Sequence, residues 1–130
     1  MNKPVILVVD DEKGVRNAIT TFLKMSYDGD FKEAVNGEEA VKFIKSNHCD
    51  VMVLDLKMPK KSGIVVIKEA KEIDPNIDIF VMSAYESNEV AEEAMKLGAT
   101  DYAVKPLDLK VISMKLDNIL KKRGQLISKT

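Results

Sequence analysis

Short, unbroken apolar runs alternate along this chain with segments whose apolar residues recur every three or four positions. Val5 to Val9, Val51 to Leu54 and Ile77 to Ser83 are the strongest runs, and Phe31 to Val35 and Asp101 to Val104 are weaker ones. Continuous β-branched runs of this length predict strands covered on both faces, as in a parallel sheet. Between them the period changes to that of helices: Val15, Ala18, Ile19, Phe22 and Leu23 in the first, Ala40, Val41, Phe43 and Ile44 in the second. Asn36 with Glu39 three residues later resembles a capping box opening that second helix. Ile64, Ile67, Ala70 and Ile73 mark a third, halted before Pro75. Val90, Ala91, Ala94, Met95 and Leu97 mark a fourth, ended at Gly98, and Leu109, Ile112, Leu116, Ile119 and Leu120 a fifth, begun at Asp108 and stopped near Gly124. Five strands alternating with five helices predict an α/β fold, a doubly wound parallel sheet with helices on both faces.

The 130 residues suit one domain, with residues 1–123 as its body and 124–130 as a tail or the start of a linker. Twenty basic against 21 acidic residues give a formal net charge of -1, so composition carries no global attraction to nucleic acid or to an anionic membrane. No apolar stretch has the length of a membrane span and the start lacks a signal-peptide plan, so the expected compartment is the cytoplasm. A single cysteine, Cys49, agrees with a reducing compartment and reads as apolar filler. His48 is the only histidine and is expected in a surface loop.

The chemistry gathers at strand ends. Asp10, Asp11 and Glu12 follow the first run, Asp55 ends the third, Ser83 the fourth, and Lys105-Pro106 follows the fifth. In an open parallel sheet the carboxyl ends of the strands line one crevice, so these residues are expected to meet. Carboxylates crowded there repel unless a cation offsets them, and an oxygen-only set favours a hard ion such as Mg²⁺. Asp55 then reads as a carboxylate nucleophile toward phosphorus, with Lys105 and Ser83 to hold the transferred oxygens.

Asp10-Asp11, Asp55 within Leu-Asp-Leu-Lys-Met-Pro followed by Ser62-Gly63, Ser83-Ala84, and Tyr102 with Lys105-Pro106 match in order and spacing. On these motifs the chain resembles a response-regulator receiver domain of two-component signalling from about Lys3 to about Leu120, and within that family it looks most like single-domain sporulation-phosphorelay and nitrogen-regulator-type receivers. The resemblance implies a flavodoxin-like five-stranded sheet of order 2-1-3-4-5. It implies that Asp55 accepts a phosphoryl group from the phosphohistidine of a sensor histidine kinase or a histidine phosphotransfer protein. Mg²⁺ would be held by Asp11 and Asp55 directly, by Asp10 through water and by the Lys57 carbonyl. Ser83 and Tyr102 would then switch the surface of the fourth helix, fifth strand and fifth helix. Lys57 and Tyr85 would govern phosphoryl lifetime. Gly14, Val15, Ala18 and Pro106 would dock the donor. The Lys105-Pro106 bond is commonly cis in the family, the downstream partner is not specified, and a phosphorylation-dependent dimer is compatible with the resemblance.

Each residue also has an ordinary reading. Asp10 and Asp11 could cap the first helix, although capping explains one acid and not two. Val15 and Ala18 also fit a core-facing stripe, Lys105 could be a solvated lysine, and Tyr102 an amphipathic strand residue. Lys121, Lys122 and Arg123 read as a solvated helix end and not as a nucleic-acid contact. Met82, Met95 and Met114 read as core filling. An aspartyl-nucleophile phosphatase would need a second acid where Lys57 stands. A flavin carrier would need a phosphate loop where Asp10-Asp11-Glu12 stands. The sequence is therefore expected to belong to a signalling receiver and not to an enzyme acting on a separate substrate.

Overall fold

The computed structural model describes residues 3–58, 61–84 and 88–126. Its order is β1(Val5–Val9), α1(Lys13–Ser26), β2(Asp30–Ala34), α2(Gly37–Ser46), β3(Val51–Asp55), α3(Gly63–Ile73), β4(Asp78–Ala84), α4(Asn88–Lys96), β5(Asp101–Lys105) and α5(Leu109–Arg123). All neighbouring strands pair in parallel, and the sheet order is β2-β1-β3-β4-β5. Both expectations, the alternation and the order, hold. The limits of β2 and β4 shift by one residue from those expected, and β5 extends through Lys105.

Side chains leave a strand on alternate faces, and this divides the core in two. Leu7, Val9, Met52, Leu54, Ile79 and Val81 meet α2, α3 and α4. Ile6, Val8, Val51, Val53, Phe80 and Met82 meet Ile19 and Leu23 of α1 and Ile112, Leu116 and Ile119 of α5. Each such side chain, fully withdrawn from water, contributes about 1.5–3 kcal/mol before entropy is counted. Asp10, Asp55 and Lys105 continue the parity of the second set, and Ser83 and Tyr102 that of the first.

Helix ends follow the expected chemistry in most places. The Asn36 side chain accepts from the Glu39 N–H at 2.9 Å while Glu39 reaches back to the Val35 N–H, and Asp108 accepts from the Lys110 N–H. Gly124 ends α5 in the left-handed region, φ 70°, where glycine is favoured. Gly63 opens α3 directly against the strand end that carries Asp55. A Cβ there would stand 2.5 Å from the Leu56 Cα, so a side chain would force α3 away from the sheet.

Several sequence expectations fail for one physical reason: a helix on a sheet buries only the inner part of a wide apolar stripe. Ala18 is exposed, and α1 turns Arg16, Ile19, Thr20 and Leu23 inward instead. Ile73, Val90 and Leu109 are likewise exposed. Of the three methionines read as core, Met82 is buried, but Met95 and Met114 lie at 37% and 58% exposure. Cys49 is buried as expected, and burial pushes its thiol up to about 12, which keeps it protonated and unreactive.

Arg123 is the clearest correction, because it is not a solvated helix end. Its guanidinium donates to Asp50 at 2.9 Å, to Asp78 at 2.8 Å, to the Asn76 carbonyl and to Gln125, tying the end of α5 to the starts of β3 and β4. Asp50 also accepts from the Val5 N–H, and the mostly exposed His48 ring lies 2.8 Å away. Burial alone would raise the Asp50 pKa. The Val5 N–H, His48, Arg123 and Gln125 together outweigh it and hold the carboxyl below its ordinary value. A depressed carboxyl contributes stability above about pH 4, and that contribution is lost as pH falls through the folded value. Arg123→Ala is therefore expected to cost about 2 kcal/mol, between the cost of losing an exposed and a buried pair, in urea denaturation at pH 7. The deficit should shrink in parallel titrations below about pH 4; a constant deficit down to pH 2 would contradict the charge-based origin of this tie.

Candidate functional site

The turn between β1 and α1 carries two neighbouring acids, and β3 delivers a third beside them. Acidic oxygens of Asp10, Asp11 and Asp55 all lie within 4.8 Å of one another. Asp10 is fully buried, Asp55 is 3% exposed and Asp11 faces solvent, so the cluster has a closed floor and an open side. The capping reading of the first two acids does not hold. The N-cap of α1 is Glu12, which makes no side-chain cap bond, and the Asp10 Oδ1 accepts the Glu12 N–H at 2.9 Å. Asp10 Oδ2 is, among the described residues, a buried oxygen without a hydrogen-bond partner.

Lys105 enters this cluster from the end of β5, its Nζ 3.3 Å from Asp55 Oδ2 and 3.9 Å from Asp10 Oδ2. The other Asp55 oxygen accepts the Lys57 N–H at 3.1 Å. The Lys105-Pro106 peptide bond is cis. Burial pushes the carboxyls of both Asp10 and Asp55 up. The Glu12 N–H, the Lys57 N–H and Lys105 oppose that rise, while the neighbouring acids add to it. Three carboxylates against one ammonium leave two negative charges uncompensated, which matches a divalent cation in charge and in donor type.

Ser83 is buried at the end of β4, one residue beyond Met82, the cross-strand partner of Asp55. Tyr102 is half-buried on β5 and packs toward the α2, α3 and α4 side. Lys115 of α5 donates to the Tyr102 carbonyl at 2.6 Å and to Asp101 at 3.1 Å, with its ammonium 5.2 Å from the Tyr102 ring centre. Sequence reading missed this lysine, which carries no motif. The Lys57 side chain is exposed. Tyr85 lies outside the described residues.

Val15, Ala18 and Pro106 share one groove of about 420 Å³ between α1 and the segment after β5, with Ile19, Leu107 and Leu109 completing its apolar wall. Gly14 is not among its lining residues. Leu107, half-buried against the core, escaped sequence reading, and Leu109, expected on the inward stripe of the fifth helix, instead lines this groove. Val90 and Met95 of α4 and Val104 of β5 also expose apolar surface. Among the described residues, no helix is long and apolar enough to cross a membrane.

A family model described as the response regulator receiver domain matches residues 6–117. Sporulation initiation phosphotransferase F of Bacillus subtilis (strain 168) is 35% identical over 105 residues, covering 80% of this chain and 83% of that protein. The regulatory protein AtoC of Escherichia coli (strain K12) is 36% identical over 110 residues, 84% of this chain but 23% of that protein. The chain spans between about a quarter and about half of the length of several curated relatives it matches. The solved receiver domain of the Francisella response regulator 1452 superposes with a TM-score of 0.84 at 30% identity, covering 93% of this chain and 99% of that one. The motif set, the 2-1-3-4-5 sheet and the match over residues 6–117 together show that the chain belongs to the response regulator receiver domain family of two-component signalling.

Proposed function

We propose that this chain is a phosphorylation-controlled signalling switch in which Asp55 accepts a phosphoryl group from the phosphohistidine of a histidine kinase or a histidine phosphotransfer protein. The observation that carries this reading is the convergence of a buried Asp10 Oδ2 without a hydrogen-bond partner, a buried Asp55 and the Lys105 ammonium in one open-sided cluster. A carboxylate oxygen of Asp55 attacks phosphorus, the P–N bond to the donor imidazole breaks with its electron pair returning to nitrogen, and an acyl phosphate results. Lys105 then holds a phosphoryl oxygen, and the Ser83 hydroxyl donates to another.

The residues fit Mg²⁺: oxygen donors only, two excess negative charges and an orphaned buried oxygen directed at the cluster. Asp10, Asp11, Asp55 and the Lys57 carbonyl would hold it. When bound, the ion supplies charge neutralisation for the spread-out negative charge of a loose phosphoryl transition state. The chain's own contribution is to hold Asp55 by the Lys57 N–H and Lys105 and to bury Asp10 and Asp55.

The acyl phosphate adds roughly -1.5 to -2 charges at this spot. Engagement by Ser83 lets Tyr102 move inward and reshapes the α4-β5-α5 surface, where Val90, Met95 and Val104 are already exposed. Turning such a surface from nearly off to nearly on requires about 5.5 kcal/mol of preference for the active form. Donors dock in the groove at Val15, Ala18 and Pro106, and at the exposed Gly14 beside Val15 in the chain. Lys57 and Tyr85 set the phosphoryl lifetime by hindering water. The domain body is residues 1–123, cytoplasmic, acting as a relay protein or as the receiver portion of a longer regulator. It promotes its own phosphoryl transfer and loss and does not turn over a separate substrate.

Two measurements check this reading. Because Asp10 and Asp55 have raised carboxyl pKa values, their contribution to stability is present below the ordinary value of 3.8 and lost as pH rises through the folded one, so the metal-free cluster destabilises the fold at neutral pH. Asp10→Asn, which removes the buried charge and keeps an oxygen for the Glu12 N–H, is thus expected to raise the melting temperature at pH 7 without Mg²⁺ by a few degrees, the shift that about 1 kcal/mol gives in a domain of this size. It should also abolish the further rise that Mg²⁺ gives the wild type; an equal Mg²⁺ response in both proteins would contradict the metal site. For phosphoryl acceptance, incubation with acetyl phosphate and Mg²⁺ should add one phosphoryl mass to the wild type and none to Asp55→Asn. Equal labelling of the two would eliminate Asp55 as the acceptor.

A further inference from the structure

Arg16 occupies a core-facing position of α1, 9% exposed, among Ile19, Thr20 and Leu23, where an apolar residue is the rule. Its guanidinium is fixed at two points. Nε donates to Glu33 of β2 at 2.8 Å, and Nη1 donates at 2.8 Å to the main-chain carbonyl of Asp10. That same peptide segment is held from the other side by the Asp10 N–H on the Ala34 carbonyl at 3.2 Å. Asp10 is therefore gripped at its N–H by β2, at its carbonyl by Arg16 and at Oδ1 by the Glu12 N–H. Oδ2 is left as the buried atom without a hydrogen bond, 3.9 Å from the Lys105 Nζ.

From this geometry we infer that Arg16 is a positioning residue for the cation site: by locking the Asp10 carbonyl to Glu33 it fixes the turn that presents Asp10 and Asp11 to Asp55. The inference rests on the Mg²⁺ reading above. A merely structural tie between α1 and β2 needs only the Glu33 bond. The second bond goes to the residue whose free oxygen completes the acidic cluster, and it crosses from the helix to the strand end where the turn begins. Nε and Nη1 are separate donors in a rigid fork, so arginine can satisfy both partners at once while lysine has a single charged nitrogen to share. Arg16 also sets a fixed positive charge behind the turn without entering the cluster. It offsets part of the repulsion among the acids and leaves their oxygens free.

Groups that orient metal ligands from behind typically change metal affinity by about 10–100-fold when removed. Following the Lys57 and Glu12 amide shifts during Mg²⁺ titration, Arg16→Met is expected to weaken Mg²⁺ binding by about 10–100-fold. Arg16→Lys should recover part of the loss. Ile119→Val, which loosens the core far from the turn, should melt lower while keeping wild-type Mg²⁺ affinity. Should Arg16→Met not fold, Glu33→Ala, which frees the other end of the guanidinium, is expected to weaken Mg²⁺ binding in the same direction. Wild-type affinity in Arg16→Met, or in Glu33→Ala where that variant stands in, overturns the inference, as does an equal loss in Ile119→Val. Failure of the wild type itself to bind Mg²⁺ is a separate result, which removes the underlying function and this inference with it.

Discussion

Asp10, Asp11 and Asp55 approach one another within 4.8 Å at a place where two of them are nearly excluded from water. Like charges so placed repel strongly and lose hydration, so the fold has to supply the energy that keeps them together. It does so through the sheet. β1, which leads into Asp10 and Asp11, and β3, which ends in Asp55, are covered on both faces, and all of Ile6 to Val9 and Val51 to Leu54 are fully buried. The main chain adds a second restraint, with N–H groups of Glu12 and Lys57 each accepted by a carboxylate and Arg16 pinning the Asp10 carbonyl. Lys105 neutralises only one of the charges. What remains is a site built under electrostatic tension, ready to gain from a cation.

Strand and helix alternation was legible in the chain because a strand covered on both faces cannot tolerate polar residues at either parity. The converging acids and Lys105 were legible for a related reason: each sits where an apolar run stops. Other features were hidden by distance or by symmetry. Arg123 looked like one of three equivalent charges at a helix end, and only its partners at Asp50 and Asp78, 73 and 45 residues away, distinguish it. Arg16 carried no motif, and only its bonds to Glu33 and to the Asp10 carbonyl distinguish it. In α4 the stripe of Val90, Ala91, Ala94, Met95 and Leu97 was real, but small alanines face inward while Val90 and Met95 face out. Periodicity locates a stripe; it does not say which half of a wide stripe meets the sheet.

Strand parity also divides the site. Asp10, Asp55 and Lys105 belong to the α1 and α5 side, whereas Ser83 and Tyr102 belong to the α3 and α4 side. A group attached to Asp55 therefore reaches the second side only over the rim of the sheet, at the end of β4. Lys115 restrains the main chain of Tyr102 from α5, so the half-buried ring is held by one side of the sheet while packing on the other.

The tie around Arg123 lies at the opposite end of the strands from the acidic cluster. Strands of five residues separate the two by about 17 Å. At an effective dielectric of about 20, unit charges that far apart interact by about 1 kcal/mol, and dissolved ions reduce this further. A change of ionisation at the rim is thus felt only faintly at the base as an electric field. The base is a stationary footing, with the last helix anchored where it meets the strand starts.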